Sequence, residues 1–199
     1  YVLTGATEGT ILSTLNGAVF NKGLTNIAVT VSDGASPANT ATCNFSVTIT
    51  DNQDPTINCS SNISVNSDAG DCTAEVAIPV ITFGDNCTGS SIAWSTAGET
   101  ILSGNGQIGT QTFNIGETTV TVIVTDAVSR TSQCQFTVNV ADNEDPTITC
   151  PIDITNINDV DDCSASVDVP VVTFDDNCPG SSIAWSMSGA TDLSGNGQM

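Results

Sequence analysis

The chain has 199 residues, of which 22 are acidic, two are basic (Lys22 and Arg130) and none is histidine, for a net charge of −20. Such a surface repels phosphate backbones and anionic lipid headgroups, which argues against nucleic-acid binding and electrostatic membrane docking, and it attracts divalent cations. With no histidine and two basic residues there is no base for a nucleophile and little to stabilise an oxyanion, so the composition points away from an enzyme.

Hydrophobic residues make up 39% and charged residues 12%, a balance that argues for an ordered chain despite the acidity. The apolar residues are mostly Val, Ile and Ala beside abundant Thr, a strand-forming palette. Eight cysteines without a Cys-x-x-Cys pair point to disulfides and an oxidising compartment. No apolar run reaches the roughly 20 residues that a spanning helix needs, so no membrane insertion is expected. No secretion signal is visible, and targeting is expected to be encoded outside these residues.

An acidic, proline-bearing phrase organises the chain. Asp51-Asn52-Gln53-Asp54-Pro55-Thr56-Ile57-Asn58-Cys59 returns as Asp142-Asn143-Glu144-Asp145-Pro146-Thr147-Ile148-Thr149-Cys150, and 142 − 51 gives a shift of 91. At that shift Cys59, Cys72 and Cys87 recur as Cys150, Cys163 and Cys178. Ser91-Ile92-Ala93-Trp94-Ser95 recurs as Ser182 to Ser186, and Leu102 to Gln107 as Leu193 to Gln198. Backwards, Phe113-Asn114-Ile115-Gly116 answers to Phe20-Asn21-Lys22-Gly23, and Cys134 to Cys43. The expected organisation is the C-terminal part of one repeat (1–50), a complete repeat (51–141) and the N-terminal part of a third (142–199). Half a sandwich exposes unpaired edges, so the partial repeats are expected to belong to a longer tandem array.

Within the complete repeat, strands are predicted at 56–59, 63–66, 73–78, 92–96, 107–113, 119–125 and 134–140. The alternation is cleanest in the last two, where Val120, Val122 and Val124 share one face, as do Cys134, Phe136, Val138 and Val140. Turns are predicted between them at 67–71, 84–86, 103–106 and 114–116, where Gly or Asn supplies unusual backbone conformations. About seven short strands in about 90 residues without helical periodicity read as an all-β, immunoglobulin-like β-sandwich. Trp94 is expected in the core; a carbohydrate-stacking platform would need exposed aromatics, and aromatics are 5% of the chain.

The combined pattern resembles the hyalin repeat, or HYR, family. It comprises Asp-Asn-x-Asp-Pro-Thr-Ile-x-Cys, Asp-Asn-Cys at 85–87, Phe-Asn-x-Gly-x-Thr-x-Val from 113, Val-Thr-Asp at 124–126 and Cys-x-Phe-x-Val-x-Val from 134. The resemblance covers 51–141 and both flanking parts. It implies an extracellular module used in tandem and associated with adhesion, similar to repeats in giant surface adhesins of gliding and marine Bacteroidota. One departure stands out. Asp126-Ala127-Val128-Ser129-Arg130 replaces the family's Asp-x-x-Gly-Asn, so that loop lacks its glycine.

Four cysteines per repeat permit three connectivities. Cys59 on the first strand and Cys134 opening the last can lie side by side, and HYR-type repeats carrying only these two positions point to the same pair. Cys72–Cys87 then remains, with Cys163–Cys178 as its repeat, which requires the chain to fold back near Pro79. Cys43 and Cys150 would have partners outside these residues.

The joints concentrate hard oxygen ligands: Asp51, Asn52 and Asp54 in one, Asp142, Asn143, Glu144 and Asp145 in the other. The Asp85-Asn86 and Asp175-Asp176-Asn177 loops and Asp126, which ends the sixth strand, are expected at the same ends of the sandwich. That set suits Ca²⁺, although Asx turns and solubility account for such residues too. Asp159, Asp161 and Asp162 fall in a hairpin turn and read as a solvated loop. Asn-x-Ser/Thr triplets at Asn44, Asn58, Asn62 and Asn86 are ordinary in so Asn-, Ser- and Thr-rich a chain. The leading expectation is a non-catalytic stalk or filament of a cell-surface adhesin whose partners are neighbouring repeats. Direct binding of glycans or surface proteins is the alternative.

Overall fold

The computed structural model describes residues 1–11 and 13–197; Leu12, Gln198 and Met199 lie outside, and with them the end of the repeated Leu193–Gln198 stretch. The structure is all-β. Two compact units divide the described residues, one built from Tyr1–Asn58, Ile81–Ala93 and Val122–Cys134, the other from Cys59–Val80, Trp94–Thr121 and Gln135–Met199.

The first 50 residues form a four-stranded sheet of order β2-β1-β3-β4, from β1 (Val2–Gly5), β2 (Gly9–Thr10), β3 (Gly23–Ser32) and β4 (Thr40–Ile49). β3 and β4 pair antiparallel over their whole length, from Gly23 opposite Ile49 to Ser32 opposite Thr40. Leu3, Thr25 and Ile27 are buried, whereas Val2, Leu24, Val31 and Phe45 stay exposed.

Residues 51–141 supply nine strands: β5 (Thr56–Asn58), β6 (Ile63–Asn66), β7 (Thr73–Ala77), β8 (Thr82–Gly84), β9 (Ser91–Gly98), β10 (Ser103–Asn105), β11 (Thr110–Asn114), β12 (Gly116–Thr125) and β13 (Thr131–Ala141). They form a five-stranded sheet of order β10-β9-β12-β13-β6 and the pairs β11-β7 and β5-β8. β6 runs parallel to β13, with Ile63 opposite Val138 and Asn66 opposite Ala141. All seven predicted strands are present. The period-two reading holds where it was sharpest, because Val120, Val122, Val124 and Val138 are fully buried and Phe136 and Val140 nearly so. Burying such side chains contributes about 1.5–3 kcal/mol each. Phe113 on β11 and Ala74 and Val76 on β7 are buried as well.

Two predicted turn regions contain short strands instead. Gly84 ends β8, where the Thr56 hydroxyl donates to the Gly84 carbonyl at 3.0 Å. Ser103–Asn105 forms β10 because Trp94 lies over it: a Cβ on Gly104 would meet the indole Cζ2 at 2.7 Å. The glycine serves close approach, not a turn. Trp94 is 8% exposed, a core residue as expected.

Residues 142–197 repeat these local pairings. β14 (Thr147–Thr149) pairs with β15 (Thr173–Asp175) in the register of β5 and β8, and β16 (Ala184–Ser186) pairs with β17 (Ser194–Asn196). Gly195 lies under Trp185 as Gly104 lies under Trp94.

A buried threonine network fixes the connection after β9. The Thr96 hydroxyl donates to the Thr100 carbonyl at 2.7 Å and accepts from the Leu102 amide at 2.7 Å. Thr118 Oγ1 accepts from the Thr100 amide, and Thr100 Oγ1 from the Asn114 amide. The same device stands at Thr25, Thr7 and Asn21 in the first sheet. Gly98 and Gly5 precede these loops at φ 114° and 104°, where a Cβ would fall 2.4 Å from the carbonyl oxygen of Glu117 or Leu24. Only glycine fits there.

Candidate functional site

At the first joint the Asp51 side chain is fully enclosed. Its carboxylate takes a 3.2 Å salt bridge from Lys22 Nζ, and its Oδ1 accepts the Gln53 amide at 3.3 Å. Asp51, Asp85 and Cys87 bring their ligand atoms within 4.8 Å of one another. The Cys87 thiol bonds to Asp51, which holds that carboxyl below its ordinary value and, with burial, pushes the thiol above its own. The same Asp51 bond raises Lys22. Asp54 pairs with Arg130 at 2.8 Å, and this contact raises the guanidinium. Both basic side chains of the chain thus sit on acidic groups of this joint.

Asp126 is 6% exposed, and its Oδ1 accepts the amides of Val128 and Arg130 at 2.8 Å each. Its buried Oδ2 has no hydrogen-bond partner among the described residues. Asp126 lies near enough to Lys22 and Arg130 to raise both. Ser129 stands where the family has glycine and takes φ 69°, so the missing glycine leaves the left-handed turn in place. Asp85 Oδ2 accepts the Cys87 amide at 3.1 Å, while Asn52 and Asn86 are exposed.

The second joint repeats this arrangement without a basic residue. Asp142, Asp176 and Cys178 form the matching cluster within 4.8 Å. Asp142 Oδ1 accepts the Glu144 amide, and Asp176 Oδ1 accepts the Cys178 amide at 2.8 Å. Glu144, Asp145, Thr147, Asp175, Asp176 and Asn177 line a concavity of about 220 Å³. Asn143 is exposed. Asn177 Oδ1 is buried without a partner among the described residues. Ile115, which occupies the repeat position of Lys22, donates its amide to the Cys72 carbonyl at 3.2 Å beside this joint. As a fit for Ca²⁺ the joints differ. In the first a lysine ammonium already holds Asp51; in the second a carboxylate-lined hollow has no internal cation.

The disulfides require a correction. Cys72 is bonded to Cys178, with Cα atoms 5.1 Å apart, and neither Cys72–Cys87 nor Cys163–Cys178 forms; Cys87 and Cys163 are free. The chain does not turn back near Pro79 as that pairing required. β7 continues past Ala77 with the Ile78 amide on the Gly109 carbonyl, and the next strand goes to β5. The Cys72 turn sits where the repeat ends, with the Ser67 amide on the Ala141 carbonyl. Cys87 sits by Asp51, where the repeat starts. Two hydrogen bonds flank the observed bridge: Gly70 N–H to Glu144 Oε1 at 2.8 Å and Asn177 Nδ2 to the Asp71 carbonyl at 3.1 Å. Cys59 and Cys134 are both disulfide-bonded, and Cys43 and Cys150 are free and exposed. Sequence reasoning missed the sulfur at the centre of each acidic cluster and the two cations at the first. The signals available were the Asp-x-Cys spacing and the scarcity of basic residues.

The sequence pattern of the HYR domain matches residues 50–140. This segment is a HYR domain. HYR domains are extracellular, and the disulfides suit that location. No curated protein matches the chain. Among solved structures it is similar to the extracellular cadherin domains 1–4 of protocadherin gamma B7, at 16% identity and a TM-score of 0.40, covering 96% of this chain and 52% of that one. It is also similar to domains 1–5 of protocadherin gamma B2, at 16% identity and 0.39, covering 98% and 44%. The chain therefore spans about half the length of these structures or less. No helix among the described residues is long and apolar enough to cross a membrane.

Proposed function

We propose that the chain is a non-catalytic segment of an extracellular HYR array, parsed as 1–50, 51–141 and 142–199, that serves as the stalk or filament of a cell-surface adhesin. The observation that carries this reading is the second joint. There the turn between β6 and β7 is bonded covalently and by two hydrogen bonds to the linker at Glu144 and to the Asp-Asn-Cys loop at 176–178. A joint tied at three points resists bending, which suits a spacer. Small-angle scattering on the oxidised chain tests this: a rod-like profile that loosens on reduction is expected, and a profile unchanged by reduction would refute it. Selective binding to one structure on a glycan array would instead favour a ligand-binding module. The reading also includes Ca²⁺ at the second joint, held by Asp142, Glu144, Asp145, Asp175 and Asp176 with Asn177 oxygen, all hard ligands. The bound ion would neutralise carboxylates that repel one another.

A further inference from the structure

The Cys72–Cys178 bond joins two different positions of the repeat. Cys178 is the counterpart of Cys87 (87 + 91 = 178), and Cys163 is the counterpart of Cys72 (72 + 91 = 163). Each bonded cysteine therefore has a free duplicate. The duplicates are built alike. Around Cys72 the Asp68 amide donates to the Thr73 carbonyl, the Asp71 amide to the Asp68 carbonyl and the Glu75 amide to Asp68 Oδ2. Around Cys163 the Asp159, Asp162 and Ser166 amides make the same three bonds to the Ser164 carbonyl, the Asp159 carbonyl and Asp159 Oδ2. Gly70 and its counterpart Asp161 share a left-handed backbone, φ 79° and 66°. On the other side, the Cys87 and Cys178 amides each close onto the aspartate two residues earlier. The flanking contacts are duplicated too: Gln53 stands at the position of Glu144 and Asn86 at that of Asn177, both exposed.

We propose that this bond is the general link between consecutive copies of the repeat, so that Cys163 presents a docking side and Cys87 a receiving side toward further copies, and two molecules of these 199 residues brought together join head to tail through Cys163 of one and Cys87 of the other. In the joined state the Asn86 amide donates to the Asp162 carbonyl, as Asn177 does to Asp71, and the Gln53 carbonyl accepts the Asp161 amide. The Sγ–Sγ bond forms as both S–H bonds are lost. Two protons and two electrons pass to a small-molecule disulfide such as oxidised glutathione, which leaves as two thiols. The link deepens the spacer reading and rests on it, since it makes each joint a covalent staple.

The test uses the full chain with Cys43 and Cys150, the other free cysteines, changed to serine. In that background C87S and C163S variants are mixed in a glutathione redox buffer at pH 8. The mixture should give one disulfide dimer whose cross-linked peptides join Cys163 to Cys87, with Cys72–Cys178 intact in each chain, while either variant alone yields at least about tenfold less dimer. Asn86→Ala should lower the dimer fraction roughly two- to tenfold, the range for one hydrogen bond. Three results overturn the link: equal yields of Cys87–Cys87 and Cys163–Cys163 dimers, no dimer under conditions that re-form Cys72–Cys178 after reduction, or peptides joining Cys72 to Cys87. A chain that scatters as a rod but fails to cross-link refutes the link and leaves the spacer. A chain that cross-links but shows selective glycan binding refutes the spacer and leaves the link.

Discussion

Ser129 shows a single side chain working against its backbone. Its φ of 69° is a conformation in which a Cβ crowds the following carbonyl, at a cost of about 1–2 kcal/mol. The turn survives because Asp126 Oδ1 holds the amides of Val128 and Arg130, and the Asp126 amide reaches the Arg130 carbonyl. Glycine removes the crowding but gives back about 0.5–1 kcal/mol of unfolded-chain entropy. S129G should therefore stabilise the chain by up to about 1 kcal/mol in urea unfolding; a lower midpoint would show that the serine makes a compensating contact. Asp51 sets a pH window by the same kind of local accounting. Its carboxyl is lowered on folding, so its contribution is present above the ordinary aspartate pKa and is lost as pH falls through the folded value. Lys22 and Cys87 are raised, so theirs are present below their ordinary values and are lost as pH rises through the folded ones. The melting temperature of the native chain should thus exceed that of D51N most between about pH 5 and 8, with the gap closing below about 4 and above about 10. A gap that is flat across that range would mean Asp51 acts by packing alone.

At the level of strands, what decides legibility is whether the cause is local. β12 and β13 were readable because alternating Val and Phe state their own burial. β10 was not, because Ser103-Gly104-Asn105 carries turn chemistry and becomes a strand only when the indole of Trp94 covers it. The acidic joints were readable as ligand sets, but their neutralisation by Lys22 and Arg130 depends on contacts across 29 and 76 residues. The Cys72 partner escaped for the same reason, lying 106 residues away and one repeat on. The Trp94–Gly104 contact gives a sharp test. G104A places a methyl inside the indole's van der Waals radius, and overpacking of this kind costs about 1–3 kcal/mol. Lower thermal stability with altered tryptophan fluorescence is expected; unchanged fluorescence would mean the strand shifts freely beneath the ring.

Over the whole molecule, a net charge of −20 is spread unevenly in its consequences. The first joint carries both basic residues, and its Asp51 and Asp54 are each paired. The second carries Asp142, Glu144, Asp145, Asp175 and Asp176 with Ile115 at the repeat position of Lys22. Repulsion among close carboxylates weakens the folded joint unless a cation enters, and a divalent ion bound only by the folded state stabilises it in proportion to the logarithm of its concentration. Millimolar Ca²⁺ should raise the melting temperature of the native chain over its value in EDTA, and Mg²⁺ should do so less because it holds its water more tightly. Ile115→Lys supplies at the second joint the ammonium that Lys22 supplies at the first, so this variant should melt higher than the native chain in EDTA and respond less to Ca²⁺. Conversely, K22A frees Asp51 and should enlarge the response. Differential scanning calorimetry of the three proteins in EDTA, Mg²⁺ and Ca²⁺ reads all of these at once. Identical Ca²⁺ increments in native, I115K and K22A chains would place the ion away from the joints, and no increment in any of them would remove Ca²⁺ from the mechanism.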